Sequence, residues 1–320
     1  MNKLKEYDIR LDELSEWVPY LALISPVVFL NKDDSLMSII SYTDCTDKSD
    51  KINEFLNKIP SGIACWIYRF PEENKQFCFV VWNTEYSLSV LTKQKETSIA
   101  DFTLFMQSFL NSAKDFLPDV QLVKEKAALD VLSEIISFEK NIQMPNMTLY
   151  LDCYLTQNHT YTKKEQFLKV DDKYLNCIRI LGYPNSYVNG ILQFLEKNNI
   201  AYRYTRRIIF LDEIMKRKTQ EKYFKNWCLS YRTFLRFLKV KSSEKTAYID
   251  NILTIISEDK EKLKRQVAIT DEYINSAGFV TVSNNYNPGD MWFCSLPAMF
   301  RTGYNHSFTG TDDMAQNLII

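Results

Sequence analysis

Glycine is scarce in this chain of 320 residues, and its scarcity excludes one large class of site. A nucleotide-binding P-loop needs Gly-x4-Gly-Lys-Ser/Thr, because successive backbone N–H groups curl around the phosphates while the Lys reaches the outer ones. The seven glycines stand at positions 62, 182, 190, 278, 289, 303 and 310, and none of them precedes a lysine. We therefore expect that this chain alone neither binds nor hydrolyses ATP.

Histidine is also scarce, with only His159 and His306 in the whole sequence. A histidine-pair metal site or a Ser-His-Asp array therefore has little to draw on. Each histidine stands alone in polar, loop-like sequence, which predicts that both are surface residues. The adjacent carboxylates Asp33–Asp34, Asp171–Asp172 and Asp312–Asp313 fall at predicted turns, where Asp is favoured for local hydrogen bonding. No catalytic residue, cofactor site or metal site is predicted.

Cysteine usage and the absence of long apolar runs limit the compartment. The seven cysteines are odd in number, scattered and free of any Cys-x-x-Cys pair, which is typical of reduced thiols in a cytosolic protein. The longest apolar stretch, from Trp17 to Leu30, has 14 residues and is interrupted by two prolines. It falls short of the roughly 20 residues that span a bilayer. These patterns predict a cytoplasmic protein that is soluble or peripheral to a membrane.

Charge is balanced overall and concentrated locally. The 39 basic and 40 acidic side chains leave a net charge of −1, so no global attraction to nucleic acid or anionic membrane is encoded. Between residues 197 and 243, however, 13 Lys and Arg stand against 3 Asp and Glu. This excess indicates either a face that binds an acidic surface or a solvated face whose charges pair with carboxylates elsewhere. The candidate interaction face comprises Arg203, Arg206, Arg207, Lys222, Lys225, Arg232, Arg236 and Lys239.

The apolar pattern of the first half predicts a small α+β unit followed by two helices. Asp47 is a candidate cap for a short helix between two β-hairpins. Stripes at helical spacing, one through Phe102 and Phe109 and one through Val131 and Ile135, predict two amphipathic packing helices. The hairpin strands are expected at Val27–Asn31 with Ser35–Tyr42 and at Ile63–Phe70 with Phe77–Trp82.

A change to period two at Asn146 marks a second unit. Its elements are expected in this order: a strand over 147–155, a strand at Tyr174–Leu181, a helix through Ile191–Leu195, a strand ending at Leu211, helices over 222–239 and roughly 244–271, and a strand at Gly278–Ser283. The first long helix carries Trp227 on its apolar stripe, and its basic residues lie opposite. A loop is expected over 284–290.

Together these patterns predict an α+β fold, with mixed sheets packed against amphipathic helices in two sub-domains. The first sub-domain comprises residues 1–142 and ends in a helical hairpin. The second comprises residues 143–285 and contains the two long helices. Residues 286–320 form a tail.

Three blocks of sequence carry a family resemblance. The opening block contains Trp17-Val-Pro-Tyr20 and the Leu30-Asn-Lys-Asp33 hairpin, and the middle block runs from Tyr174 through Gly182-Tyr-Pro184 to Leu211-Asp212. The closing block is Trp292-Phe-Cys-Ser-Leu-Pro297. In this order they resemble the front part of the conjugative-transfer ATPases of type IV secretion systems, the TrbE/CagE type of the VirB-family ATPases.

The resemblance implies an N-terminal, non-hydrolytic docking and assembly domain that anchors a motor at the cytoplasmic face of the inner membrane. The implied partners are inner-membrane channel components, the chain's own motor domain, further copies in a hexamer and an anionic membrane surface. ATP and Mg would belong to the motor domain, toward which the tail at 286–320 would lead. The chain departs from the family at Asp34 and Ala298, where the family usually has Gly, and in the short sequence between Ser283 and the Ser-Leu-Pro motif.

A second hypothesis comes from another class of protein. The basic segment 197–243 could make the chain a standalone nucleic-acid-binding or regulatory module. Steeply salt-dependent binding to DNA would distinguish this hypothesis from the secretion hypothesis. An unrecognised enzyme is a third hypothesis, which the two histidines and seven glycines disfavour.

Overall fold

The computed structural model describes residues 11–43, 55–71, 75–82, 99–140, 142–145, 149–164, 167–182, 190–214, 216–217, 246–282, 288–300 and 307–310. The helices include α1 (Leu11–Trp17), α2 (Ile99–Ala113), α3 (Glu125–Ser137), α4 (Leu151–Thr156), α5 (Ile191–Lys197), α6 (Lys260–Ser276) and α7 (Pro288–Ser295). The strands include β1 (Tyr20–Ser25), β2 (Val28–Asn31), β3 (Leu36–Thr43), β4 (Ile63–Arg69), β5 (Lys75–Trp82), β6 (Gln121–Leu122), β7 (Tyr161–Lys164), β8 (Phe167–Val170), β9 (Lys173–Gly182), β10 (Ala201–Phe210), β11 (Thr246–Ser257), β12 (Val280–Val282) and β13 (Ser307–Gly310).

The strands form one sheet, in the order β1-β2-β3-β5-β4-β10-β11-β9-β8-β7, with β6, β12 and β13 paired to β3, β9 and β11. Every pairing between these described strands is antiparallel. The α+β class is therefore confirmed, and the expected mixed sheets are a single antiparallel sheet. Short turns connect many neighbouring strands, and such turns can join only antiparallel partners.

The sheet is continuous from the first half of the chain to the second. Strand β4 pairs with β10, from Tyr204 opposite Arg69 to Ile209 opposite Ala64. The predicted hairpins are confirmed, because β2 pairs with β3 and β4 pairs with β5. The division into sub-domains at residue 142 remains a prediction. The predicted cap at Asp47 and the predicted helix over 222–239, with Trp227, lie outside the described residues.

The strand predicted over residues 147–155 is wrong, because helix α4 occupies this position. Its buried residues are Leu151, Asp152, Leu155 and Thr156, which recur at helical spacing. Thr156 Oγ1 donates to the carbonyl of Asp152 at 2.8 Å, one turn back. Leu151 and Leu155 are four residues apart, a spacing that fits a strand with period two and a helix equally well.

The long helix predicted over 244–271 is also wrong in its first half. Residues Thr246–Ser257 form strand β11, and α6 begins only at Lys260. β11 lies between β10 and β9, so both of its faces are buried. Apolar residues such as Ile249, Ile252, Leu253 and Ile256 therefore occur on both faces and match a helical spacing by coincidence.

Helices cover both faces of the sheet. Face A is defined as the side that carries Trp66, Tyr68 and Cys177, and it packs against α1, α3, α4 and α7 in one large apolar cluster. Face B is the opposite side and has two separate clusters. Helix α2 covers face B beside β3, β4 and β5, while α5 and α6 cover it beside β9, β10 and β11. The central strands β10 and β11 are thus buried between two layers.

Candidate functional site

The central strands carry an unusual number of buried polar side chains. Successive residues of a strand point to opposite faces, so Arg207 and its partner Asp250 on β11 lie on face A. Arg206 and its partner Asn251 lie on face B. All four residues are at most 3% exposed. Two neighbouring arginines of one strand therefore enter two different buried environments.

On face A, one carboxylate bridges two guanidinium groups. Arg207 Nε donates to Asp250 Oδ2 at 3.0 Å, and its Nη2 contacts the same oxygen. Arg179 of β9 contacts the other oxygen, Oδ1, through its Nη2. Buried charges are stable only when they are paired and hydrogen-bonded, so these three side chains depend on one another.

The same arginine ties strand β10 to the segment after α7. Arg207 Nη1 donates to the carbonyl oxygen of Met299 at 3.1 Å. Cys294 lies close enough for Arg207, Asp250 and Arg179 to act on its thiol. Burial is the largest effect and raises the pKa of Cys294, and Asp250 raises it further, while Arg207 opposes them. The thiol is therefore protonated at neutral pH, which excludes an activated nucleophile at this position.

Segment 288–300 is held in the core of face A. The sequence predicts a loop up to Asp290 and a tail beyond, but α7 begins at Pro288, a residue suited to the first helical position. Residues Met291 to Leu296 are buried. The contacts that anchor the segment are Tyr68 OH donating to the Ser295 carbonyl, Trp17 stacked on Phe293 at 5.1 Å, Trp66 against Phe300 at 5.2 Å, Tyr161 against Trp292 at 6.0 Å, and Lys163 bound to Asp290.

A third arginine on face A closes the end of helix α3. Arg203 Nη1 donates to the carbonyl oxygen of Ile135 at 3.1 Å, and its guanidinium lies 3.9 Å from the ring centroid of Phe138. Tyr161 OH donates to the next carbonyl, that of Ile136, at 2.8 Å. The last carbonyls of a helix have no partner within the helix, so these donors satisfy them.

On face B the polar cluster around Arg206 contains no carboxylate among the contacts described. Arg206 Nε donates to Asn251 Oδ1 at 2.7 Å, and Arg206 Nη2 donates to the hydroxyl of Tyr204 at 2.9 Å. The Tyr204 hydroxyl in turn donates to Asn251 Oδ1 at 2.6 Å. Burial raises the pKa of Tyr204, and Arg206 only partly opposes this effect. The hydroxyl therefore stays protonated and keeps its role as a donor.

These positions correct the predicted interaction face. Arg203, Arg206 and Arg207 are buried in a strand that is covered on both sides, so they do not lie on a solvent-exposed surface. Their charges serve the packing of the sheet and its helices. The other predicted members, Lys222, Lys225, Arg232, Arg236 and Lys239, lie outside the described residues, and their role stays a prediction.

His159 is also placed differently from the prediction. It is 6% exposed, and its Nδ1 lies 2.9 Å from Asp171 Oδ2, with Nε2 at 3.6 Å from Glu139 Oε2. The Thr160 N–H donates to Asp171 Oδ1 at 2.8 Å. Burial raises the pKa of Asp171, but the Thr160 N–H and His159 outweigh it, so the pKa is lowered. Asp171 does lie in a turn, as predicted, with a positive φ of 52°.

The chemistry of these groups is structural. Each arginine of β10 binds carboxylate, amide, hydroxyl or carbonyl groups of this chain. Across the described ranges, no group of three or more His, Cys, Asp and Glu could hold a metal ion. No helix in the same ranges is long and apolar enough to cross a membrane. The arrangement defines an α+β scaffold whose buried charges organise its own fold.

The family of this scaffold follows from its sequence. The model of the CagE, TrbE, VirB family, described as a component of the type IV transporter system, matches residues 118–304. This match covers more than half of the chain and includes β10, β11, α7 and the whole of the Arg179–Asp250–Arg207 cluster. The chain belongs to this family, and the predicted resemblance is confirmed.

Two curated relatives are similar to the chain. The conjugal transfer protein TrbE of Rhizobium radiobacter is 21% identical over 421 residues, which cover 98% of this chain and 50% of that protein. A probable conjugal transfer protein TrbE of Sinorhizobium fredii (strain NBRC 101917 / NGR234) is 23% identical over 201 residues, or 54% of this chain and 30% of that protein. The chain thus spans half or less of these relatives. The first alignment is longer than the chain, so the relative carries segments that this chain lacks.

Proposed function

We propose that this chain is the docking and assembly region of a conjugal transfer component of the TrbE type, and that it holds a motor domain against a type IV secretion channel. The observation that supports this proposal is the anchoring of segment 288–300 in face A. The family match includes this segment. Its Trp292–Pro297 motif also resembles the stretch before the motor domain of the family.

A docking region must pass mechanical load between its partners and the motor. A segment that hangs freely would absorb such load, whereas segment 288–300 contacts α1, β4, β7 and β10. Its hydrogen bonds to Tyr68 and Arg207 are buried, and buried bonds of this kind are costly to break. A rigid connection between the sheet and whatever follows the segment is therefore consistent with the proposed role.

The proposal assigns ATP hydrolysis and Mg binding to the motor domain and none to this chain. Its partners would be inner-membrane channel components, the motor domain and further copies in a hexamer. The chain would work at the cytoplasmic face of the inner membrane. Any attraction of its basic residues to anionic headgroups would be accessory, at about 1 kcal/mol per Lys or Arg near the surface.

Co-purification from cells that express a conjugative channel tests this function. The chain should recover inner-membrane channel components, and it should show no ATP-dependent rise in melting temperature. Replacing Lys222, Lys225, Arg232, Arg236 and Lys239 with Gln should weaken binding to anionic vesicles and leave that recovery intact. Tight, salt-sensitive DNA binding by the unmodified chain, with no channel component recovered, would reject the proposal and favour the nucleic-acid hypothesis.

A further inference from the structure

The two ends of the sheet are finished differently. At one end, β1 is continued by a bridge between Ala22 and Leu149, and α4 packs against it. At the other end, β7 pairs with β8, and within the described ranges no strand pairs with its outer side. An open strand edge presents backbone donors and acceptors that can add another strand.

The phase of the β7–β8 ladder identifies the groups that point outward. The Asp171 N–H donates to the Thr160 carbonyl at 2.8 Å, which makes 160 and 171 a hydrogen-bonded pair. Such pairs alternate along antiparallel strands, so Thr162 and Lys164 also bond to β8. The backbone groups of Tyr161 and Lys163 therefore point away from β8. In the described ranges of the chain, no backbone partner takes them.

Ammonium groups cluster on face B beside this edge. The Nζ atoms of Lys164 and Lys260 lie 5.9 and 4.9 Å from the centroid of the same Phe167 ring. Lys169 Nζ lies 5.4 Å from the ring of Tyr174, and the two rings are 5.3 Å apart. Alternate side chains of a strand added to β7 would project onto face B, toward these lysines.

We infer that β7 is a docking edge for an extended acidic segment of a partner protein, which adds to the sheet as a further strand. Its backbone would bond to Tyr161 and Lys163, and alternate carboxylates would meet Lys164, Lys169 and Lys260. The inference rests on the proposed function, because a docking region needs a surface for its channel partners. A second copy of this chain is disfavoured at this edge, because it would bring the lysines of two β7 strands together.

Binding of a synthetic strand tests the edge. The probe is the acetylated and amidated peptide Val-Glu-Val-Glu-Val-Glu, with the Lys-for-Glu peptide as its charge-reversed control, measured by calorimetry with the full chain. Lys163→Pro removes the outward N–H without a loss to the β7–β8 ladder, since edge strands tolerate Pro where the N–H faces outward. Lys163→Ala loses the same side chain and its contact with Asp290 but keeps the N–H. We expect Lys163→Pro to bind the acidic peptide at least about tenfold more weakly than Lys163→Ala.

A modified probe covers the case in which Lys163→Pro fails to fold. The acidic peptide methylated on alternate backbone nitrogens has the same charge but cannot donate to an edge, so it should bind the unmodified chain at least about tenfold more weakly. No binding of the acidic peptide, equal binding of the charge-reversed peptide, or equal binding of the methylated peptide would overturn the inference. Recovery of channel components that persists in such a case would leave the proposed function standing, whereas loss of recovery alone would reject that function.

Discussion

Arg206 and Arg207 are neighbours in sequence, yet the sheet stabilises them in two different ways. On face A, Arg207 shares the Asp250 carboxylate with Arg179 and also holds the Met299 carbonyl. On face B, Arg206 relies on the Asn251 amide and the Tyr204 hydroxyl. The face A cluster contains both signs of charge, so loss of its one carboxylate leaves two buried cations without it. The face B cluster should lose only hydrogen bonds.

The largest effect is therefore expected for Asp250→Asn. This change keeps the shape of the side chain and removes the charge that both Arg179 and Arg207 contact. Breaking a buried ion pair from one side costs about 3–5 kcal/mol of unfolding free energy. Denaturant melts monitored by circular dichroism measure the cost. A loss below about 1 kcal/mol, the typical value of a single neutral hydrogen bond, would show that the charge is not important there.

Arg203→Met examines a face A arginine that caps a helix. The variant keeps an apolar stem over Phe138 but loses the donor to the Ile135 carbonyl. A hydrogen bond from a charged group contributes about 1.5–3 kcal/mol, so a loss in this range is expected in the same melts. Glu134 keeps Lys140 at 3.2 Å and is not left without a cation. Unchanged stability would mean that other donors satisfy the end of α3.

Asn251→Ala is the matched change on face B. It removes the Oδ1 atom that accepts from Arg206 and from Tyr204. These donors can still bond to one another, so we expect a loss of about 1–3 kcal/mol, the cost of leaving a buried polar group short of a partner. If Asn251→Ala destabilises the protein more than Asp250→Asn, the distinction between the two faces is wrong.

The smallest effect is expected for Asp171→Asn, and it should depend on pH. The pKa of Asp171 is lower in the folded chain than in the unfolded one, so the ionised carboxylate stabilises the fold above its unfolded pKa. That stabilisation disappears as the pH falls through the lowered folded pKa. The carboxylate is 36% exposed, so solvent screening should keep the difference below about 1 kcal/mol at pH 7. A gap between variant and wild type that grows at acid pH would contradict this sign.

Much of the fold could be predicted from local patterns. The hairpins β2–β3 and β4–β5 follow from alternating apolar residues around turns, and helices α2 and α3 follow from their apolar stripes. Strand β11 could not be recognised in this way, because a strand buried on both faces has no polar face to mark its period. Helix α4 failed for a related reason, since its four-residue spacing fits both structures.

The buried network was beyond local patterns because its partners are distant in sequence. Arg207 and Asp250 are 43 residues apart, and Arg179 and Asp250 are 71 apart. A run of arginines in a strand looks the same whether it faces solvent or a carboxylate from another strand. His159 and Asp171, 12 residues apart, raise the same difficulty across a hairpin. The adjacent Asp250 and Asn251 were the available signal, because polar residues inside an apolar run imply polar partners.

Hydrogen exchange of segment 288–300, measured by mass spectrometry, tests the central claim most directly. The claim is that the face A cluster holds this segment in the core through Arg207 and the Met299 carbonyl. Asp250→Asn should raise exchange in peptides covering 291–300 well before global unfolding, while Asn251→Ala should leave those peptides close to wild type. Equal protection of the segment in both variants, at matched denaturant distance from their midpoints, would contradict the account.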